Sequence, residues 1–222
     1  MDVIEAIYAR KSIRAYKKDP VPKAVLEDIL KAAERTPSGV NVQPWEFIVL
    51  TGDVLEKVKN ANAARFDARE TPPPNMWSGG EYTGVYRDRT FAMGAQLNSL
   101  LGIAREDREK RIAWRRNGMR FFEAPAAIII AMEKALGVGQ LFSIGSMAQT
   151  IALAALKHGL GTVIMIQGVI YPQVLREIVG VPESKELVIA MPIGYPDWDA
   201  PCNKIYTERE PLEKITTWAG FE

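Results

Sequence analysis

Apolar residues at 144, 147, 148, 151, 152 and 155 recur at the spacing of one helical face, and the pattern stops at Gly159-Leu160-Gly161. A helix with so apolar a stripe has to be buried, so the rest of the chain must be able to surround it. Just before it, Ala126–Met132 reads as a buried, isoleucine-rich strand. Further strands are expected at Trp45–Leu50, Thr162–Ile166 and Glu186–Pro192. Helices are expected at Asp2–Arg10 behind an Asp2 cap, and after Asp19-Pro20-Val21-Pro22 with Val25, Ile29, Leu30 and Ala33 on one stripe. Others follow Thr51-Gly52-Asp53 and cover Thr90–Leu101, Arg105–Phe122 and Tyr171–Val179. The order mixes α and β throughout, with no internal repeat.

Size and composition narrow the classes. A chain of 222 residues can bury a core without staples, and with one cysteine, Cys202, it forms no internal disulfide. The single thiol and the lack of a leader-like start lead to the expectation of a cytoplasmic protein. The longest uninterrupted apolar stretch, Ala124–Met132, falls well short of the ~20 residues a bilayer requires, so no membrane partner is expected. A net charge of +1 leaves no overall footprint for nucleic acid. One histidine and one cysteine exclude a His/Cys metal site, and His158 reads as a structural residue at a helix end. No Gly-x-Gly-x-x-Gly follows a strand and no Walker loop is present, which weighs against dinucleotide-binding and P-loop folds.

Three local features remain. Arg10-Lys11-Ser12-Ile13-Arg14 clusters cations and a hydroxyl at a helix-to-loop junction; it suits a phosphate, or it is a basic helix end favoured by the dipole. Thr36-Pro37-Ser38-Gly39-Val40-Asn41-Val42-Gln43-Pro44-Trp45 is a polar loop bounded by prolines. Asn203-Lys204-Ile205-Tyr206-Thr207-Glu208-Arg209-Glu210-Pro211 lies near the end, in a tail whose Ile205, Tyr206, Leu212, Ile215 and Trp218 carry too much apolar surface to hang free.

In order and separation these features resemble the nitroreductase family of flavoproteins. Its pattern is an N-terminal Arg-Arg/His-Ser-x-Arg/Lys-x-Phe/Tyr, then Pro-Ser-x-x-Asn-x-Gln-Pro-Trp, then Gly-Tyr-Pro (here Gly194-Tyr195-Pro196) and an arginine in the tail. The likeness runs end to end, and within the family it is greatest to the nitrobenzoate-reductase-like branch. Lys11 replaces the usual arginine or histidine, and Val163-Ile164 the frequent Cys-Trp. The resemblance implies an α+β fold with a central mixed, mostly antiparallel β-sheet packed by helices. It implies one FMN-binding domain over 1–222, with a lid or insert at about 67–122 and a tail at about 198–222 swapped onto the partner of a homodimer.

It also implies an FMN-dependent enzyme that uses NAD(P)H to reduce nitroaromatic or other electron-poor acceptors by ping-pong hydride transfer through flavin N5. No side-chain catalyst is required. Arg10 and Arg209 would neutralise the FMN phosphate, Lys11 and Ser12 would add donors, and Arg14 would sit near flavin N1 and O2. Pro37, Ser38, Gly39 and Asn41 would come from the other subunit, and Gln167 and Gly168 would present backbone N–H to N5. An aromatic lid of Trp77, Tyr82, Tyr86, Phe91, Trp114 and Phe121 would choose a small aromatic substrate, the alternative for each helical aromatic being core packing. The basic stretch Arg105–Arg120 suits an aromatic carboxylate or the extra phosphate of NADPH, or is a solvated, ion-paired face. Alternatives are reductive dehalogenation of the iodotyrosine deiodinase type, flavin-consuming ring synthesis, and non-catalytic flavin binding.

Overall fold

The computed structural model describes residues 1–74 and 81–221. At its centre is a four-stranded sheet of β1 (Glu46–Thr51), β2 (Ala126–Glu133), β3 (Gly161–Thr162) and β4 (Lys185–Gly194), in the order β1-β2-β4-β3 with every pair antiparallel. An isolated parallel bridge, Ser12 to Thr162, adds a mixed edge. Strand β2 is apolar without alternation because both of its faces are covered. Its residues Ala126, Ile128, Ile130 and Met132 pack with α2 (Lys23–Ala33) and α6 (Leu141–Leu156). Ala127, Ile129 and Ala131 pack with α3 (Gly52–Asp67) and α7 (Pro172–Val179).

The six residues that predict the central helix are all buried in α6. The run Val138–Leu156 that contains it is long and apolar enough to cross a membrane by length and composition, which the sequence expectation overlooked. Its apolar stripe faces the sheet within the protein.

The expected strand Thr162–Ile166 shortens to β3 and one bridge, Met165 to Ala190. Met165 and Ala190 exchange both backbone hydrogen bonds at 2.9 Å. Two residues further along β4 the same edge is occupied by Pro192, which has no N–H to donate, and the ladder opens there. The helix expected from Thr90 starts earlier, as α4 (Gly84–Leu100), so Tyr86 is helical. The one expected over Arg105–Phe122 contracts to α5 (Arg108–Met119).

Helix α1 (Val3–Ala9) has the capping box foreseen from Asp2, with Glu5 as its second member, yet buries none of its residues. Val3, Ile4, Ile7 and Tyr8 are exposed, as are Phe142 of α6 and, in the tail, Tyr206, Leu212, Ile215, Trp218 and Phe221. The accessible surface is 13549 Å². A compact monomer of this mass exposes about 10,000 Å², so roughly 3,000 Å² is surplus.

Lys59 is buried, and its ammonium is held 2.6 Å from Glu56 Oε1 and 3.6 Å from Glu123 Oε2. The Lys59 hydrogen bond, with Arg120 behind it, keeps the Glu56 carboxyl below the usual carboxylate range. A carboxylate with a depressed folded-state pKa stabilises above its unfolded value of about 4.3, and that contribution is lost as pH falls through the folded value. The E56Q variant is therefore expected to be less stable than wild type at neutral pH, with the gap in urea midpoint narrowing as pH falls below the unfolded carboxylate range. An unchanged gap across that range would show that the pair carries no pH-linked stability.

Candidate functional site

The chain leaves α1 at Arg10 and runs extended beside the sheet. Ile13 N–H donates to Thr162 C=O at 3.0 Å and Lys17 N–H to Tyr195 C=O at 2.8 Å. Extended backbone alternates its side chains. Ile13 therefore points inward against Gly161, where an added Cβ would overlap the Ile13 side chain, while Ser12 and Arg14 turn to the other side. The aromatic of the N-terminal motif has a structural task here: Tyr16 O–H donates to Ile13 C=O at 2.8 Å and to Pro192 C=O at 3.3 Å. The second acceptor lies beside the opening in the ladder.

Arg10, Lys11, Ser12 and Arg14 converge with Arg209 on one cleft of about 750 Å³. Ile7 and Tyr8 of α1, Met93 of α4 and the tail segment 205–208 complete its walls. Among the described residues, none of the four cations forms an ion pair with a carboxylate. Arg209 instead donates to Thr207 C=O and Oγ1 and to Glu208 C=O, each at 2.9 Å, and Arg14 donates to Ser12 C=O at 3.4 Å. Burial, and then the charge of Arg209, push the Arg10 pKa down, and burial does the same for Arg14. Positive groups that oppose one another without an ion-pair partner form a site for an anion, and the donor set suits a phosphate. The volume lies within the usual range of about 300–1,000 Å³ for small-molecule sites. The residues present fit the phosphate end of FMN.

Pro37, Ser38, Gly39 and Asn41 do not line this cleft. They form a surface loop in which Val40 is 97% exposed and Val40, Asn41 and Gln43 take left-handed backbone angles, φ 43°, 58° and 49°. Ser38 Oγ braces the loop by accepting from Gln43 N–H at 3.0 Å. Three non-glycine residues in this region store strain of order 1–3 kcal/mol each.

Gln167 and Gly168 also stand apart from the cleft lining. Gly168 is buried, and a Cβ there would meet Ala190 Cβ at 2.6 Å and Phe121 Cε1 at 2.7 Å. Close packing in the core accounts for a glycine at this position.

The aromatic set divides. Trp77 lies outside the described residues. Trp114 packs with Phe122, ring centroids 5.4 Å apart, and joins the cluster of Leu97, Cys202 and Ile205; Phe121 is fully buried. These two take the core-packing alternative. Tyr82, Tyr86 and Phe91 are exposed and do not line the cleft, though Arg89 stacks on Tyr86 at 5.6 Å. In the basic stretch, Lys110 pairs with Asp107, Arg116 with Asp67, and Arg120 with Glu56 and Glu123, which favours the ion-paired face. His158 Nε2 lies 2.9 Å from Asp28 Oδ2, in keeping with its structural reading. Among the described residues no group of three His, Cys, Asp or Glu side chains could hold a metal.

Met93, Thr207 and Glu208 line the cleft but were missed from sequence. The last two are legible as neighbours of Arg209; Met93, on a helix with only Leu97 buried, carries no such signal.

Known proteins of similar sequence and fold include nitroreductases. The chain is 29% identical over 221 residues to a 4-nitrobenzoate reductase of Nocardioides sp. (strain LMS-CY), covering 96% of this chain and 87% of the relative. It is 31% identical over 216 residues to a nitrobenzene nitroreductase of Ectopseudomonas oleovorans, covering 96% and 95%. The crystal structure of the FMN and NADPH-dependent nitroreductase NfnB from Sphigopyxis sp. strain HMH superposes with a TM-score of 0.94 at 32% identity over all of both chains. The family model for the nitroreductase family matches residues 7–195, and the chain belongs to that family.

Proposed function

We propose that this protein is an FMN-dependent NAD(P)H oxidoreductase that reduces nitroaromatic or similar electron-poor acceptors. The observation that carries the reading is the convergence of Arg10, Lys11, Ser12, Arg14 and Arg209 on one cleft whose one acidic lining residue, Glu208, is ion-paired to none of the four cations. The named relatives support nitroreduction over dehalogenation or non-catalytic flavin binding. FMN held there by Arg10, Lys11, Ser12, Arg14 and Arg209 would supply hydride transfer between NAD(P)H and the acceptor.

The chain's own part is to hold and tune that group. Arg10 and Arg209 neutralise the phosphate, Lys11 and Ser12 add donors, and Arg14 stabilises negative charge on the ring system. A homodimer accounts for the surplus surface, for the bare apolar faces of α1 and the tail, and for a strained loop at Pro37–Asn41 that reaches no site in its own chain. The tail then embraces the partner, and the reaction runs in the cytoplasm.

The test is the visible absorption of purified protein before and after anaerobic NADPH. A yellow protein that bleaches and recovers its colour with a nitroarene is the expected result. A colourless protein that takes up no added FMN would sink the reading.

A further inference from the structure

Asn203 is not among the residues that line the cleft, yet its side chain makes three hydrogen bonds beside it. It is 1% exposed and sits where the tail leaves the core. Its Oδ1 accepts from Arg14 N–H at 2.7 Å, and its Nδ2 donates to Ala15 C=O and to Asp197 C=O, both at 2.8 Å. Its own N–H donates to Ala200 C=O at 3.0 Å. One amide thus joins the segment carrying Arg10–Arg14, the turn after β4, and the root of the irregular tail segment that carries Arg209.

The two arginines that oppose each other across the cleft are 199 residues apart in sequence and are pushed apart by like charge. We infer that Asn203 is a positioning residue: it fixes the N-terminal segment against the tail root, so that Arg10 and Arg209 face the same phosphate. A neutral amide suits this place better than a charged group, because it supplies both the acceptor that Arg14 N–H needs and the donors that the two carbonyls need. Buried, each of these contacts is costly to leave unmade.

This inference rests on the flavin reading, and the experiment separates the two. FMN and riboflavin differ by the phosphate alone, so their affinity ratio reports the geometry of the arginine pair. Both dissociation constants are measured by flavin fluorescence for wild-type apoprotein, N203A and N203D, with thermal midpoints recorded alongside. N203D keeps the shape and the acceptor for Arg14 but loses both donors.

The expected result is FMN weakened by about tenfold or more, and riboflavin, which keeps the ring that Arg14 faces, weakened clearly less than FMN, in whichever variants fold. Equal weakening of both ligands, or no change in either, overturns the inference, because a merely structural residue would not separate them. Failure of both variants to fold likewise overturns it, by making Asn203 a residue of the fold. If wild type itself binds neither flavin, it is the flavin reading that has failed.

Discussion

Replacing Arg10 and Arg209 together with alanine is expected to give a folded protein that loses its yellow colour on desalting. A hydrogen bond to a charged group contributes about 1.5–3 kcal/mol, so each arginine is worth roughly ten- to a hundredfold in FMN affinity. The pair shares one phosphate, so their effects will couple, and the double variant need not equal the product of the singles. The apoprotein should keep its thermal midpoint. In the absence of an anion Arg209 disfavours the Arg10 charge, and neither side chain forms an ion pair with a described carboxylate whose loss would destabilise the fold. Equilibrium dialysis against FMN reads the first effect and thermal unfolding of the apoprotein the second. Full flavin retention in the double variant would show that the phosphate binds elsewhere.

Gly161→Ala is expected to damage both stability and cofactor binding. Its new methyl would collide with Ile13 and lie 2.9 Å from Pro196 Cγ. Overpacking of this kind costs about 1–3 kcal/mol. The relief available is to push Ile13 outward, and that shifts Ser12 and Arg14, which flank it and line the cleft. Gly159→Ala is the control, two residues earlier. There φ is +68° and nothing stands within 4 Å of the added methyl, so the penalty is about 1 kcal/mol of backbone strain without contact to the cleft loop. Urea unfolding should register both changes, whereas FMN affinity should fall only for Gly161→Ala. Equal FMN affinities in the two variants would show that Ile13 packing does not set the cleft.

Glycine identity has different causes along this chain. Gly159 ends a helical pattern and was legible as a stop. Gly161 and Gly168 are required by neighbours that arrive from far along the chain, Ile13 in one case and Phe121 with Ala190 in the other. For Gly168 core packing is by itself enough to require a glycine, whatever its N–H faces.

Much of the fold could be read directly. Strand β2, the buried face of α6, α7 and the stripe of α2 follow from hydrophobic periodicity, because each buries a face whose spacing is local to one element. The N-terminal cation cluster and Arg209 could be named because a phosphate needs donors of that chemistry, and they do share a cleft. Other outcomes depended on residues that meet only in three dimensions. The break after β3 comes from Pro192 on the neighbouring strand. Trp114 and Phe121 went to the core because other elements cover them, which periodicity cannot distinguish from an aromatic lid. Asn203 reads in sequence as one polar residue of the tail, and only the fold brings residues 14, 15 and 197 around it. Sequence by itself determined which stretches form elements and which side chains carry charge, since propensity and burial act over one turn or one strand. Tertiary structure alone decided which of those charges face each other, because that depends on contacts between segments nearly two hundred residues apart.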